Sequence, residues 1–108
     1  MRRAEAQEIL AECGFQDYRF EVVEVNDCLF LRAVYYEADT VTGKRERQQT
    51  RHWVIETTMS RSELVATAFK CALTSMEHRT REWFRYRGKA IYMPHYDVDQ
   101  LVALHDHR

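Results

Sequence analysis

Apolar and polar positions alternate with a period of two on both sides of Asn26-Asp27, and this is the clearest pattern in the chain. A period of two places successive side chains on opposite faces of a strand, so Tyr18 to Tyr36 is predicted to be an antiparallel hairpin. Setting Val25 opposite Cys28 across a two-residue turn puts Tyr18, Phe20, Val22, Leu29, Leu31, Ala33 and Tyr35 on one face. Glu21 then falls opposite Arg32 on the other face, a favourable cross-strand pair. The second face also carries Val23, Val25, Phe30, Val34 and Tyr36, more apolar surface than a solvated face needs.

His52 to Thr57 reads as a third strand, reached through a polar hairpin with Thr42-Gly43 at its tip. Its register is ambiguous, because a one-residue slip exchanges the two faces. An even loop directs His52 and Val54 inward; an odd loop or a bulge directs Trp53 and Ile55 inward. The second arrangement buries more apolar area and is the one expected, with His52 outward.

The helical signals flank this sheet. Ala4 to Cys13 is amphipathic, with Ile9 and Leu10 on its apolar side and Gly14 as an expected left-handed cap. Within MSRSEL, Ser60 and Glu63 form a capping box, with Met59 and Leu64 as its hydrophobic staple. The helix that follows has a stripe of Val65, Phe69, Ala72, Met76 and Trp83. Further on, FRYRGKAIY reads as a tight hairpin around Arg87-Gly88 rather than as a continuation of that helix. A helix running to Gly88 would be about 39 Å long, against an expected radius of gyration of about 13 Å. Asp97 and Gln100 form a second capping pair, predicting a short final helix from Val98 to about Leu104. The expected fold class is α+β in a single domain over residues 1–108. Its parts are an N-terminal helix, a three-stranded antiparallel meander, a long helix packed on the sheet, a short hairpin and a C-terminal helix.

Composition narrows the functional classes. The 108 residues carry a formal net charge of −1, so nothing global favours nucleic acid. Cys13, Cys28 and Cys71 are odd in number and widely spaced, which points to free thiols in a reducing compartment. No apolar leader or membrane-length run is present, and the expectation is a soluble protein of a bacterial host cytoplasm, with no membrane partner.

Candidate chemistry concentrates in EHRTREWFRYRGKAIYMPHYDVDQ. His95, Asp97 and Asp99, with His78, have the donor types of a metal site. Asp97 is explained as a helix cap, however, and Asp99 as a first-turn charge complementing the helix dipole. No metal or other cofactor is expected. Arg79, Arg81, Arg85, Arg87 and Lys89 alternate with Trp83, Phe84 and Tyr86, a mixture suited to phosphate contact and base stacking. Lys44, Arg45, Arg47 and Arg51 extend it from the polar hairpin. No nucleophile motif, glycine-rich phosphate loop or HExxH appears. Once caps and core positions are assigned, His78, Arg79, Arg85, Arg87 and His95 are the candidate binding residues.

The segment SRSELV, then ALTSMEHRTREWFRYRGKAIYMPHYDVDQL, resembles small uncharacterised proteins encoded in bacteriophage and prophage genomes. The shared pattern falls on His78, Arg81, Glu82, Phe84, Tyr86, Gly88, Pro94, His95 and Asp97, with Arg79 where an acidic residue often stands. The resemblance implies a phage context and no particular activity. Combined with the second sheet face, it gives the expectation of an accessory protein that binds another protein or its own copy. A nucleic-acid-binding module is the alternative, and a metal-dependent enzyme the third reading.

Overall fold

In the computed structural model, residues 1–15, 17–74 and 83–92 are described. They form an α+β arrangement of two helices and two small antiparallel sheets.

Helix α1 (Arg3–Ala11) buries Ala6, Ile9 and Leu10. It ends earlier than the expected Cys13, and Gly14 is not its cap. The cap is Glu12, in right-handed helical conformation, whose N–H reaches the carbonyls of Ile9 and Leu10. Gly14 instead lies in a short strand, β1 (Cys13–Phe15). The physical reason is tertiary: β1 pairs with a strand far along the chain, placing Gly14 opposite Arg85, a pairing no local pattern signals.

The hairpin of β2 (Arg19–Val25) and β3 (Cys28–Ala38) has the expected register, with Val25 opposite Cys28 and Glu21 opposite Arg32. Asn26 and Asp27 both take positive φ, 51° and 65°, as a two-residue turn matched to strand twist requires.

The third strand of this sheet is broken in two. β4 (Arg45–Gln49) and β5 (Trp53–Ile55) both pair with β3. Between the pairs Val34–Gln49 and Leu31–Trp53, the two residues Arg32 and Ala33 face the three residues Thr50, Arg51 and His52. That is a β-bulge, and it reverses which side chains point inward. Trp53 is accordingly half-buried and Ile55 buried, while Val54 is 57% exposed and His52 lies outside. Thr50 holds the bulge. Its N–H donates to the Ala33 carbonyl at 3.0 Å, and its hydroxyl accepts the Ala33 N–H at 2.9 Å in place of a backbone carbonyl.

Helix α2 (Arg61–Thr74) starts as its sequence predicts, with the Ser60 hydroxyl accepting the Glu63 N–H at 3.2 Å. Leu64, Val65, Ala68, Phe69, Cys71 and Ala72 are buried. The hairpin around Arg87-Gly88 is present as β6 (Trp83–Tyr86) and β7 (Lys89–Tyr92), with positive φ at both turn residues. Trp83 therefore does not belong to the helical stripe. It is a strand residue, 50% exposed, because the period-two alternation of β6 gives the inward positions to Phe84 and Tyr86. Met76 and the expected C-terminal helix lie outside the described residues.

The two sheets have the orders β1-β6-β7 and β2-β3-β4, with β5 also on β3. One buried cluster joins them, taking in Ile9, Phe15, Leu31, Leu64, Phe69 and Phe84. Edge-to-face ring contacts bridge its parts: Phe69 to Phe84 at 5.2 Å, and Phe15 to Tyr18 at 4.7 Å. Both helices pack on the inner face of the larger sheet, where Val22, Leu31, Ala33 and Ile55 are buried.

Candidate binding surface

Strand alternation sorts the larger sheet into two faces of different character. Inward residues of β2 and β3 join the core; Val23, Phe30 and Val34 belong to the outer face and lie outside the core cluster. On that outer face Val25 is 45% exposed, Tyr36 49% and Val54 57%. The expected apolar surface is only partly open, since Val34 is buried at 6% exposure and Val23 and Phe30 are half-buried. None of the described helices packs on this face.

Polar groups lie beside the apolar ones and are mutually engaged. Arg32 Nε donates to Glu21 at 3.0 Å, and Arg47 lies 3.9 Å from the same carboxylate. Arg32 and Arg47 also both donate to Gln49 Oε1, at 3.3 and 2.9 Å. Arg45 donates to Asp17 at 2.9 Å and stands 5.8 Å from the Tyr36 ring centroid. Phe30 and His52 have ring centroids 5.5 Å apart. The register sets this network across the middle of the outer face, with Val25, Phe30 and Val54 at one end and Tyr36 at the other.

The basic candidates of the second hairpin have a different setting. Arg87 is bonded to the Glu12 carboxylate, and its N–H donates to the Glu12 carbonyl at 3.3 Å. Arg61 joins the same carboxylate at 3.5 Å and donates to the Tyr86 hydroxyl at 3.3 Å. The Arg87 hydrogen bond holds Glu12 below the usual carboxylate range and raises Arg87 in turn. This cluster ties the end of α1 to the start of α2 and the β6–β7 turn, so Arg87 serves a structural clamp. Arg85 is exposed with its guanidinium over Gly14, where an added Cβ would meet Nη2 at 3.1 Å. Arg51 likewise stacks on Trp53, at 4.5 Å from the ring centroid. Of the remaining sequence candidates, His78, Arg79 and His95 lie outside the described residues, as do Asp97 and Asp99. The structure thus brings Arg85 and Arg87 onto one small hairpin but does not unite them with the outer face.

The thiols divide by burial. Cys13 is pushed up to about 12, chiefly by burial and secondarily by the Glu12 charge. Cys71 is raised by burial, and its Sγ lies 3.4 Å from the Thr50 hydroxyl. Cys28 is exposed beside the Asn26-Asp27 turn. Neither the half-buried Cys13 nor the buried Cys71 has the low pKa that nucleophilic catalysis requires. Among the described residues no cluster of three or more His, Cys, Asp or Glu is arranged to hold a metal ion. No described helix is long and apolar enough to cross a membrane.

Sequence reasoning anticipated the outer face but missed Glu12. Nothing in its local surroundings distinguishes Glu12 from the other acidic residues of α1, because its partners arrive from Arg61 and Arg87. Comparison with protein-family models, curated proteins and solved structures finds no match for this chain.

Proposed function

We propose that this chain is a small accessory binding module that docks another polypeptide on the outer face of its larger sheet. The observation that carries the reading is the exposure, on the face opposite the helices, of Val25 and Val54 at one end and Tyr36 at the other. Burying such a patch on a partner is favourable at about 25 cal/mol per Å² of apolar surface removed from water. The ionic network between these two ends adds specificity to such a contact. The resemblance to phage-encoded proteins fits an accessory role of this kind.

A nucleic-acid partner fits less well. Arg87 is held by Glu12, Arg51 by the Trp53 ring and Arg45 by Asp17, so these basic candidates already have protein partners.

The test compares the tagged protein with a Val54→Lys, Tyr36→Ser variant in affinity capture from bacterial lysate, with and without nuclease. Both substituted positions are exposed, so the fold is expected to survive. The reading requires a polypeptide that survives nuclease treatment and is lost with the variant. Recovery abolished by nuclease identifies a nucleic-acid bridge instead, and equal recovery by both proteins removes the outer face as the docking surface.

A further inference from the structure

The two long edges of the larger sheet are finished differently. The β4–β5 edge is interrupted by the bulge at Thr50–His52, and β4 is the polar run RERQQ. Breaks and charges of this kind discourage another strand from adding. The β2 edge has charges too, at Arg19, Glu21 and Glu24, but no such break: it runs seven residues, RFEVVEV, in regular register with β3 and without proline.

The direction of its backbone groups can be read from β3. Ala33 sends both its N–H and its carbonyl to Thr50, on the β4 side. Its opposite residue on β2, Phe20, is therefore in a non-hydrogen-bonded pair, and its own N–H and carbonyl point away from β3. The same holds at Val22 and Glu24, two and four residues on. Among the described residues no strand pairs with this stretch of edge. Helix α1 packs beside β2, with a groove of about 880 Å³ lined by Arg3, Gln7 and Leu10 of the helix and Phe20, Val22 and Glu24 of the strand.

We infer that the β2 edge pairs with the β2 edge of a second copy of this chain, antiparallel and centred on Val22. Outward-facing backbone groups in a groove call for an extended strand, and β2 satisfies its own requirement in one register. With Val22 on the two-fold axis, Phe20 pairs with Glu24 of the second copy and Glu24 with Phe20, so every outward-facing N–H and carbonyl of the three residues is used. Shifting the axis to Glu21 sets that carboxylate against its own copy, which is destabilising. The same shift presents Glu24 to Tyr18, already bridged to Phe15. Shifting the axis to Val23 runs Phe20 onto Asn26, in the turn. The Val22 register escapes all three problems. It also joins the two outer faces side by side, with Val23 of each copy next to Glu21 of the other.

The inference rests on the reading of the chain as a polypeptide-binding module but uses a different surface, so the two can fail separately. The test is sedimentation equilibrium of the full chain over a concentration series, for the parent, for Glu24→Pro and for Val54→Lys, Tyr36→Ser. Proline at position 24 removes only an outward-facing N–H and is tolerated on an edge strand. The expected result is a parent dimer, a dissociation constant raised about a hundredfold by Glu24→Pro, and an unaffected outer-face variant. In parallel, amide exchange of the parent is expected to show protection of residues 20, 22 and 24 that rises with concentration. A parent that stays monomeric, or a dimer untouched by Glu24→Pro, overturns the inference. A dimer broken only by the outer-face variant overturns it too, while leaving the proposed function standing. Edge amides whose exchange ignores concentration have the same consequence for the inference, and need no variant to fold.

Discussion

Replacing Thr50 by valine tests whether one hydroxyl sets the inward-facing residues of the third strand. Valine keeps the shape of threonine and deletes the oxygen that accepts the Ala33 N–H at 2.9 Å. Ala33 is fully buried, so water cannot replace that acceptor. A buried donor left without a partner costs about 1–3 kcal/mol. The deleted hydroxyl also donates to the Arg51 carbonyl at 3.0 Å, on the more exposed side, where water can substitute. Thr50→Val is therefore expected to destabilise by about 1–3 kcal/mol in urea titration, near 4 °C or more of melting temperature per kcal/mol. Thr50→Ser keeps the oxygen and loses a methyl group, for a cost below about 1 kcal/mol. If the bulge collapses in the valine variant, Trp53 exchanges faces and its emission shifts to the red, read in a Trp83→Phe background. Equal stabilities for the valine and serine variants, both within about 0.5 kcal/mol of the parent, would refute the argument.

Three further outcomes follow from the same contacts. Phe84→Ala is expected to cost about 3–5 kcal/mol, whereas Trp83→Ala costs less than Phe84→Ala by at least about 2 kcal/mol, because only Phe84 is fully buried; denaturant titration of both decides whether this segment has strand or helical alternation. The depressed Glu12 carboxyl contributes stability at pH above its ordinary value of 4.5, and that contribution is lost as pH falls below it. The melting temperature of Glu12→Gln should therefore lie below the parent at pH 7 and converge with it in acid; a constant gap between the two curves would contradict the assigned clamp. Native-state alkylation at pH 8 should modify Cys28 quickly and spare Cys13 and Cys71 until the protein unfolds, as peptide mapping by mass spectrometry can show.

Much of the fold is written in local patterns. The β2–β3 register follows from a two-residue turn and a period of two, and the start of α2 from Ser60 and Glu63. Trp53 and Ile55 were expected inward on grounds of area alone, and the bulge at Thr50 supplies the extra residue that the argument needed. What local patterns did not show is β1. Three residues after a helix, with glycine in the middle, read as a cap because capping is a local interaction. Pairing with Tyr86, Arg85 and Phe84 depends on contacts more than sixty positions away. Trp83 failed for a related reason: at helical spacing it completes a stripe, and only the pairing of β6 with β1 and β7 changes the period that applies.

The candidate surface was legible to a similar degree, and for a physical reason. Sidedness in a strand is local, so the apolar outer face follows from β2 and β3 alone. Whether a cation on that face or elsewhere is available to a ligand depends on which carboxylate reaches it. Arg87 looked available because its partner, Glu12, lies at the opposite end of the chain. Once Glu12 and Arg61 are brought beside it, a basic residue in an aromatic run becomes a brace between two helices and a turn. The same step changes the balance between partners. Arg45 and Arg87, each paired with a carboxylate, have less to gain from a phosphate backbone, because each contact must first break an existing pair. An exposed apolar side chain such as Val54 has no such competitor.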